Sequence, residues 1–216
     1  HSETILVEDL LTKIIPKAIG SINWKKSMKW SDHNLMWGRP LRSIFALYNN
    51  KKLSFKYEHL DAKDEVIIEK DLVTKTKKIK NFKDYFTFLK SNKIIVDHKE
   101  REEIILKKIN LFSRSKQYKE NLNLKLLEEV VNIVEDPNLL HVSFSKSYLE
   151  IPKEIIISTL EKHQRYFPIF DNRDRLTNHF FVVANKKDEK KMITQGNKRV
   201  VEARLADAKF FWDKDK

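Results

Sequence analysis

Between residues 4 and 19, apolar side chains fall at Ile5, Leu6, Leu10, Leu11, Ile14 and Ile15, a helical period with acidic residues near its start. After residue 40 the period changes. Residues 41–48 and 52–57 read as strands about a turn at Asn49-Asn50, because asparagine tolerates left-handed dihedrals. Leu53, Phe55 and Tyr57 alternate with polar neighbours, which predicts one buried face. A short strand is expected at 66–68, and the lysine-rich stretch 70–80 reads as strand or exposed loop.

Phe82 to Leu89 predicts a short aromatic helix, followed by the apolar run Ile94-Ile95-Val96. Asp97, with Glu100 three positions on, resembles a capping box and opens a long helix with Ile104, Ile105, Ile109 and Phe112 inward. A polar linker is expected over 113–123. Leu126, Leu127, Val130, Val131 and Val134 then form the core stripe of a helix over 124–135, ended by Pro137. Leu139 to Phe144 is a strand candidate, and Pro152 is placed as the first residue of a helix with Ile155, Ile156, Thr159, Leu160 and His163 on one face. Two strands, 165–170 and 179–184, flank the polar turn Asp171-Asn172-Arg173-Asp174. A helix over about 197–214 closes the pattern, with Val201, Leu205, Ala208 and Trp212 facing a core and Asp207 a local partner for Arg204. Helices and antiparallel hairpins without βαβ alternation give an α+β fold: a helical segment 1–20 and an α+β domain 21–216, with a helical portion near 82–135.

Composition narrows the function classes. The 216 residues are 41% hydrophobic and 11% aromatic, enough for a sizeable folded core. No run approaches a membrane span and no signal-peptide pattern opens the chain. Without cysteine there is neither a disulfide framework nor a thiolate metal site, and a soluble cytoplasmic protein is the expectation. His1-Ser2 reads as a cloning remnant and the chain as a piece of a longer one. Lysine and arginine number 43 against 31 acids, a net charge of +12, and residues 70–93 hold eight lysines and two aspartates. Such a surplus favours polyanions such as RNA, although an AT-rich genome that inflates lysine explains it as well. Only Gly20, Gly38 and Gly196 occur, which excludes glycine-rich phosphate loops and ATP binding by that route.

Catalytic machinery is not legible. There is no Gly-x-Ser-x-Gly elbow and no thiol, and the seven histidines show neither His-x-His nor His-x-x-x-His spacing, so no metal site is expected. Binding chemistry is denser. Lys162-His163-Gln164-Arg165-Tyr166 puts an ammonium, an imidazole, an amide, a guanidinium and a phenol in succession where a helix hands over to a strand. Cations there suit phosphate, the amide a polar edge and the phenol a stacked base. The same residues also suit a helix end answering its own dipole, with His163 in the core. Three of four tryptophans lie among Lys25, Lys26, Lys29, Arg39 and Arg42, a mixture for stacking bases or for nucleating a core under lysine stems.

Longer stretches carry a resemblance. Lys162-His163-Gln164-Arg165-Tyr166-Phe167-Pro168, Ala184-Asn185, Gly196-Asn197-Lys198-Arg199-Val200 and Ala203-Arg204-Leu205-Ala206-Asp207-Ala208-Lys209-Phe210-Phe211 resemble the beta subunit of bacterial glycyl-tRNA synthetase, in its order. So do Lys26-Ser27-Met28-Lys29-Trp30, Arg39-Pro40-Leu41-Arg42 and Leu126-Leu127-Glu128-Glu129-Val130, so that the resemblance covers about residues 10–216. The family's Gly-His-Arg-Phe stretch has no counterpart in 66–80, and Asp136 stands where the family carries Trp before Pro137.

The resemblance implies an alpha–beta assembly that joins glycine to its tRNA using ATP. Activation, with ATP and Mg, belongs to the alpha subunit, and no cofactor is expected in this stretch. The partners implied are the alpha subunit and tRNA(Gly), with no membrane. A fold similar to the editing-type domain of the phenylalanyl-tRNA synthetase beta chain is implied too, with the chain ending before the HD-type and anticodon-binding regions. The expectation is a non-catalytic role in tRNA positioning and subunit architecture, carried by Lys162, His163, Gln164, Arg165, Tyr166, Asn185, Asn197, Arg199 and Arg204. An editing-like aminoacyl-ester hydrolase and a purely structural module are the alternatives.

Overall fold

The structure is a computed structural model, and it describes residues 6–70, 72–119 and 122–215. It is α+β and divides into two compact units, 1–91 and 92–216. The division expected from sequence, at residues 20 and 21, falls within the first unit. His1, Ser2 and Ile5 lie outside the described residues.

The first unit opens with helix α1 (Val7–Gly20), which carries Pro16 inside it and buries none of its side chains. Two short segments then meet through a single bridge, Met28 to Trp37. Where two continuous strands were expected, the chain makes four of two residues: β1 (Ile44–Phe45), β2 (Leu47–Tyr48), β3 (Lys51–Lys52) and β4 (Lys56–Tyr57). The break has a cause in pairing. β2 and β3 form the expected hairpin, with Asn49 at φ 48° and Asn50 at φ 62°. β1 instead runs parallel to β5 (Leu60–Lys63), which also pairs antiparallel with β4, giving the order β1-β5-β4. The expectation of antiparallel pairing alone is corrected by that one parallel contact. Ala46 sits at the switch, its amide donating to Lys63 and its carbonyl accepting from Leu53.

Leu53 is buried and Phe55 and Tyr57 half-buried between exposed neighbours, as the alternation predicted. β6 (Glu65–Lys70) and β7 (Val73–Lys78) form a ribbon of their own, so the lysine-rich stretch is a strand. Helix α2 (Phe82–Ser91) closes the unit. Asn81 caps it by accepting from the amide of Asp84, whose carboxylate pairs with Lys77 at 2.5 Å.

In the second unit, Asp97 caps helix α3 (His98–Lys116) by accepting from the Lys99 amide at 2.8 Å. The expected linker over 113–123 is largely structured. Ser113 is buried in the last turn of α3, Gln117 ends that helix at φ 55°, and Tyr118–Lys119 form the edge strand β8. Asn123 caps α4 (Leu124–Ile133). One guanidinium binds the two helices: Arg101 donates to the carbonyls of Ile95, Val96 and Val131 at 2.6–2.9 Å.

Strand β9 (Asn138–Ser143) leads through a 3₁₀ turn to α5 (Lys153–Ser158), for which Pro152 is the cap and not the first residue. β10 (Phe167–Asp171) and β11 (Leu176–Ala184) turn at Asp171–Asp174, and the four-stranded sheet has the order β8-β10-β11-β9. The last helix, α6, starts at Met192 rather than near 197 and runs to Asp215. Asp188 sets the earlier start, accepting from the amides of Ile193 and Thr194.

Alternation along the strands gives this sheet two apolar faces. Ile169 and Phe181 pack with Ile105, Ile109, Leu127 and Val130 of α3 and α4. Phe180 and Val182 pack with Ile156, Leu160, Val201 and Leu205 of α5 and α6. On the first face His141 and His179 stack at 4.8 Å beside Phe112 and Tyr118. Burial holds both imidazoles below their ordinary pKa, and for His141 the neighbouring His179 and Lys116 add to the effect.

Candidate functional site

The junction after α5 is wider than an ordinary helix end. The Thr159 hydroxyl bonds back to the Ile155 carbonyl at 2.9 Å, and residues Thr159–His163 form a π turn. The Tyr166 amide reaches back six residues to the Leu160 carbonyl at 2.9 Å, and the Arg165 amide reaches Glu161. Arg165 takes φ 60°, the left-handed position that glycine commonly fills at a helix terminus. That conformation costs a side-chain-bearing residue about 1–2 kcal/mol. It also explains why β10 begins at Phe167 and not at Arg165.

Four of the nine candidate residues form a frame. The guanidinium of Arg165 donates to the Lys162 carbonyl and pairs with Glu129 of α4 at 2.5 Å. Both side chains are about half-exposed, so the pair contributes at most about 1 kcal/mol. Tyr166 is buried, 8% exposed, with its ring stacked on Phe180 at 5.3 Å. Its hydroxyl donates to Asn197 Oδ1, and Asn197 Nδ2 donates to the Ile193 carbonyl at 2.7 Å. Burial raises the phenol above its ordinary pKa, so it acts as a neutral donor. Asn185 Oδ1 accepts from the amides of Glu135 and Asp136 at 2.7 and 2.9 Å, fixing the turn after α4 to the end of β11.

The other five are open. Lys162, His163, Arg199 and Arg204 are exposed and Gln164 is half-buried, and none has a side-chain partner among the described residues. His163 is therefore not the core histidine that its place after the apolar stripe allowed. The π turn rotates it off the face that holds Ile156 and Leu160. At about 100° per residue, Arg204 lies near the Val201 side of α6, whereas Arg199 lies almost opposite. The chain thus joins Tyr166 directly to Asn197, but Arg199 faces away from that contact.

The sequence did not single out a cleft of about 500 Å³ lined by His98, Glu102, Leu124, Glu128, Val131 and Asn132 on α3 and α4. None of the nine candidates lines it. Only the pairing of two helices reveals the concavity. Among the described residues no group of three or more His, Asp or Glu side chains is arranged to hold a metal ion, and no helix is long and apolar enough to cross a membrane.

The frame and the open residues both fall in stretches that resemble a known family, and the whole chain, residues 1–216, matches the family described as "Glycyl-tRNA synthetase beta subunit". The chain belongs to that family. Glycine--tRNA ligase beta subunits of Rickettsia bellii (strain OSU 85-389) and Syntrophomonas wolfei are each 34% identical to it, over 97% and 96% of the chain. That of Thermodesulfovibrio yellowstonii is 35% identical over 96%. The chain spans 30–32% of the length of these relatives. As a member of the glycyl-tRNA synthetase beta-subunit family, it carries the junction as a rigid polar frame with an unpaired fringe.

Proposed function

We propose that this chain is the part of a glycine–tRNA ligase beta subunit that helps to bind and position tRNA(Gly) and to build the subunit. The observation that carries the reading is the division of labour at the junction. Arg165, Tyr166, Asn185 and Asn197 hold backbone and one another, while Lys162, His163, Gln164 and Arg204 are left open beside them. Unpaired cations and an amide on a rigid support suit phosphate and sugar contacts. In this reading the chain is non-catalytic, ATP and Mg serve an alpha subunit, and the assembly works in the cytoplasm. Kinship of fold with the editing-type domain of the phenylalanyl-tRNA synthetase beta chain belongs to the same proposal.

The test is a titration of the alpha–beta enzyme with tRNA(Gly) at two salt concentrations. Lys162→Ala with Arg204→Ala should weaken binding by about tenfold and lower the salt dependence, with thermal unfolding unchanged. Unaltered affinity and salt slope in that double variant would overturn the reading.

A further inference from the structure

The tryptophan-rich segment that follows α1 is built unlike a core. The Trp24 indole lies on Gly38 so closely that a Cβ there would stand 2.5 Å from the ring. It also meets Trp37 at 4.9 Å between centroids. Trp24 is nevertheless 39% exposed, and Met28 and Met36 are open to a similar degree. The strand-like bridge between Met28 and Trp37 holds the two halves of the segment together through backbone bonds of 2.9 and 3.2 Å. Gly38 thus leaves no room for a side chain against the Trp24 ring, and Trp24 remains partly open to solvent.

The charged residues flanking this surface in the chain are almost all cationic. Lys25, Lys26 and Arg39 are exposed and have no side-chain partner among the described residues. Two of these follow Trp24 in the chain and the third follows Gly38. Asp32, the single acid between residues 21 and 40, accepts from the Ser31 hydroxyl and lies 3.8 Å from His33. A supported, partly exposed ring with free cations next to it in the chain matches a nucleobase and its phosphates. An acidic peptide would satisfy the cations but brings no planar partner for the indole.

We propose that this surface binds single-stranded nucleic acid, with one unpaired base stacked on Trp24 and backbone phosphates held by Lys25, Lys26 and Arg39. The inference does not rest on the reading of the junction, since it uses none of those residues. Duplex RNA, whose bases are already stacked, would gain only the charge contacts.

The probe is a short single-stranded RNA carrying a photoreactive 4-thiouridine, added to the full-length beta subunit in its complex. Crosslinks should map to the peptide containing Trp24, and in polarisation assays Trp24→Ala should weaken binding by about tenfold while Trp24→Phe retains most of it. Gly38→Ala, which displaces the ring, should act like Trp24→Ala, and Lys25→Ala with Lys26→Ala should reduce the salt dependence without altering the fold. Crosslinks confined to the junction peptide would overturn this site and leave the junction reading standing. Unchanged affinity in folded Trp24→Ala, or equal preference for duplex RNA, would overturn it as well. Loss of subunit association in that variant with RNA affinity intact would identify a protein-docking surface instead.

Discussion

The two compact units use similar residues to opposite effect. Among the described residues, the first makes seven strands yet buries six apolar side chains, Leu35, Leu53, Ala62, Ile68, Ile79 and Leu89. The described residues of the second make four strands and bury twenty-one, prolines aside. Strand length is one difference, and the helices packed on both faces of the second unit's sheet are the other. A two-residue strand cannot present an apolar row, and the chain from Ile44 to Tyr57 changes partner after each pair. β11, nine residues long, feeds Phe180 and Val182 to one core and Phe181 to the other. Where burial is thin, aromatic and methionine side chains remain at the surface. Where it is dense, even tyrosine and histidine are drawn inward.

Substitution in the cores should break this contrast most visibly. Phe180→Ala, at a fully buried ring stacked on Tyr166, should destabilise the second unit by about 3–5 kcal/mol. Leu53→Ala should cost the first unit nearer to about 2 kcal/mol, because a sparse surround closes over a cavity more easily. Urea unfolding followed by probes in each unit measures both, and equal losses would erase the distinction. Next in size is Asn197→Ala, which leaves the buried Tyr166 hydroxyl without its acceptor and should cost about 1–3 kcal/mol. Arg199→Ala on the same helix should stay within about 0.5 kcal/mol. A comparable loss from the arginine would mean that it has a structural role after all.

Acid should weaken both units, but in different pH windows. The folded pKa of His141 and His179 lies below the ordinary 6.5, so the unfolded chain binds more protons once the pH falls through that value. Their contribution is complete above 6.5 and declines below it until the depressed folded values are reached. In the first unit, hydrogen bonds from Lys78 and Lys77 lower Asp64 and Asp84. Those contributions persist above the ordinary 3.8 and disappear only as the pH falls through the lower folded values. Unfolding followed unit by unit between about pH 7 and about pH 5 should weaken the second unit alone. Two substitutions should bring a gain: Gln117→Gly at φ 55° and Leu72→Gly at φ 63° should each stabilise their unit by about 0.5–1 kcal/mol in thermal unfolding.

Legibility in the sequence follows the same division. Periodicity located α3, α4 and both strands of the β10–β11 hairpin because each buries a whole stripe. Asn49-Asn50 and Asp97 were readable because their local chemistry alone determines the turn and the cap. The parallel β1–β5 contact was not, since two residues carry no pattern that tells parallel from antiparallel. At the junction, the residue types suggested binding but not their sorting. Tyr166 turned inward because Phe180 and Asn197 await it, and nothing in Lys162-His163-Gln164-Arg165-Tyr166 announces that. The π turn, which moved His163 outward, depends on hydrogen-bond register and leaves no periodic trace.

The order β8-β10-β11-β9 also has a kinetic meaning. β10 and β11 meet across a tight turn, so that pair can form within microseconds, on the scale of an isolated hairpin. β9 must then return across α5 to lie along β11, and β8 must pair Lys119 with Phe170 around everything between them. Each closure costs chain entropy before any contact rewards it, so the assembly of this unit is governed by its longest loops. Two residues of edge strand hold the farthest closure, and Tyr118 and Lys119 should be the first backbone amides in the sheet to exchange their hydrogens with solvent.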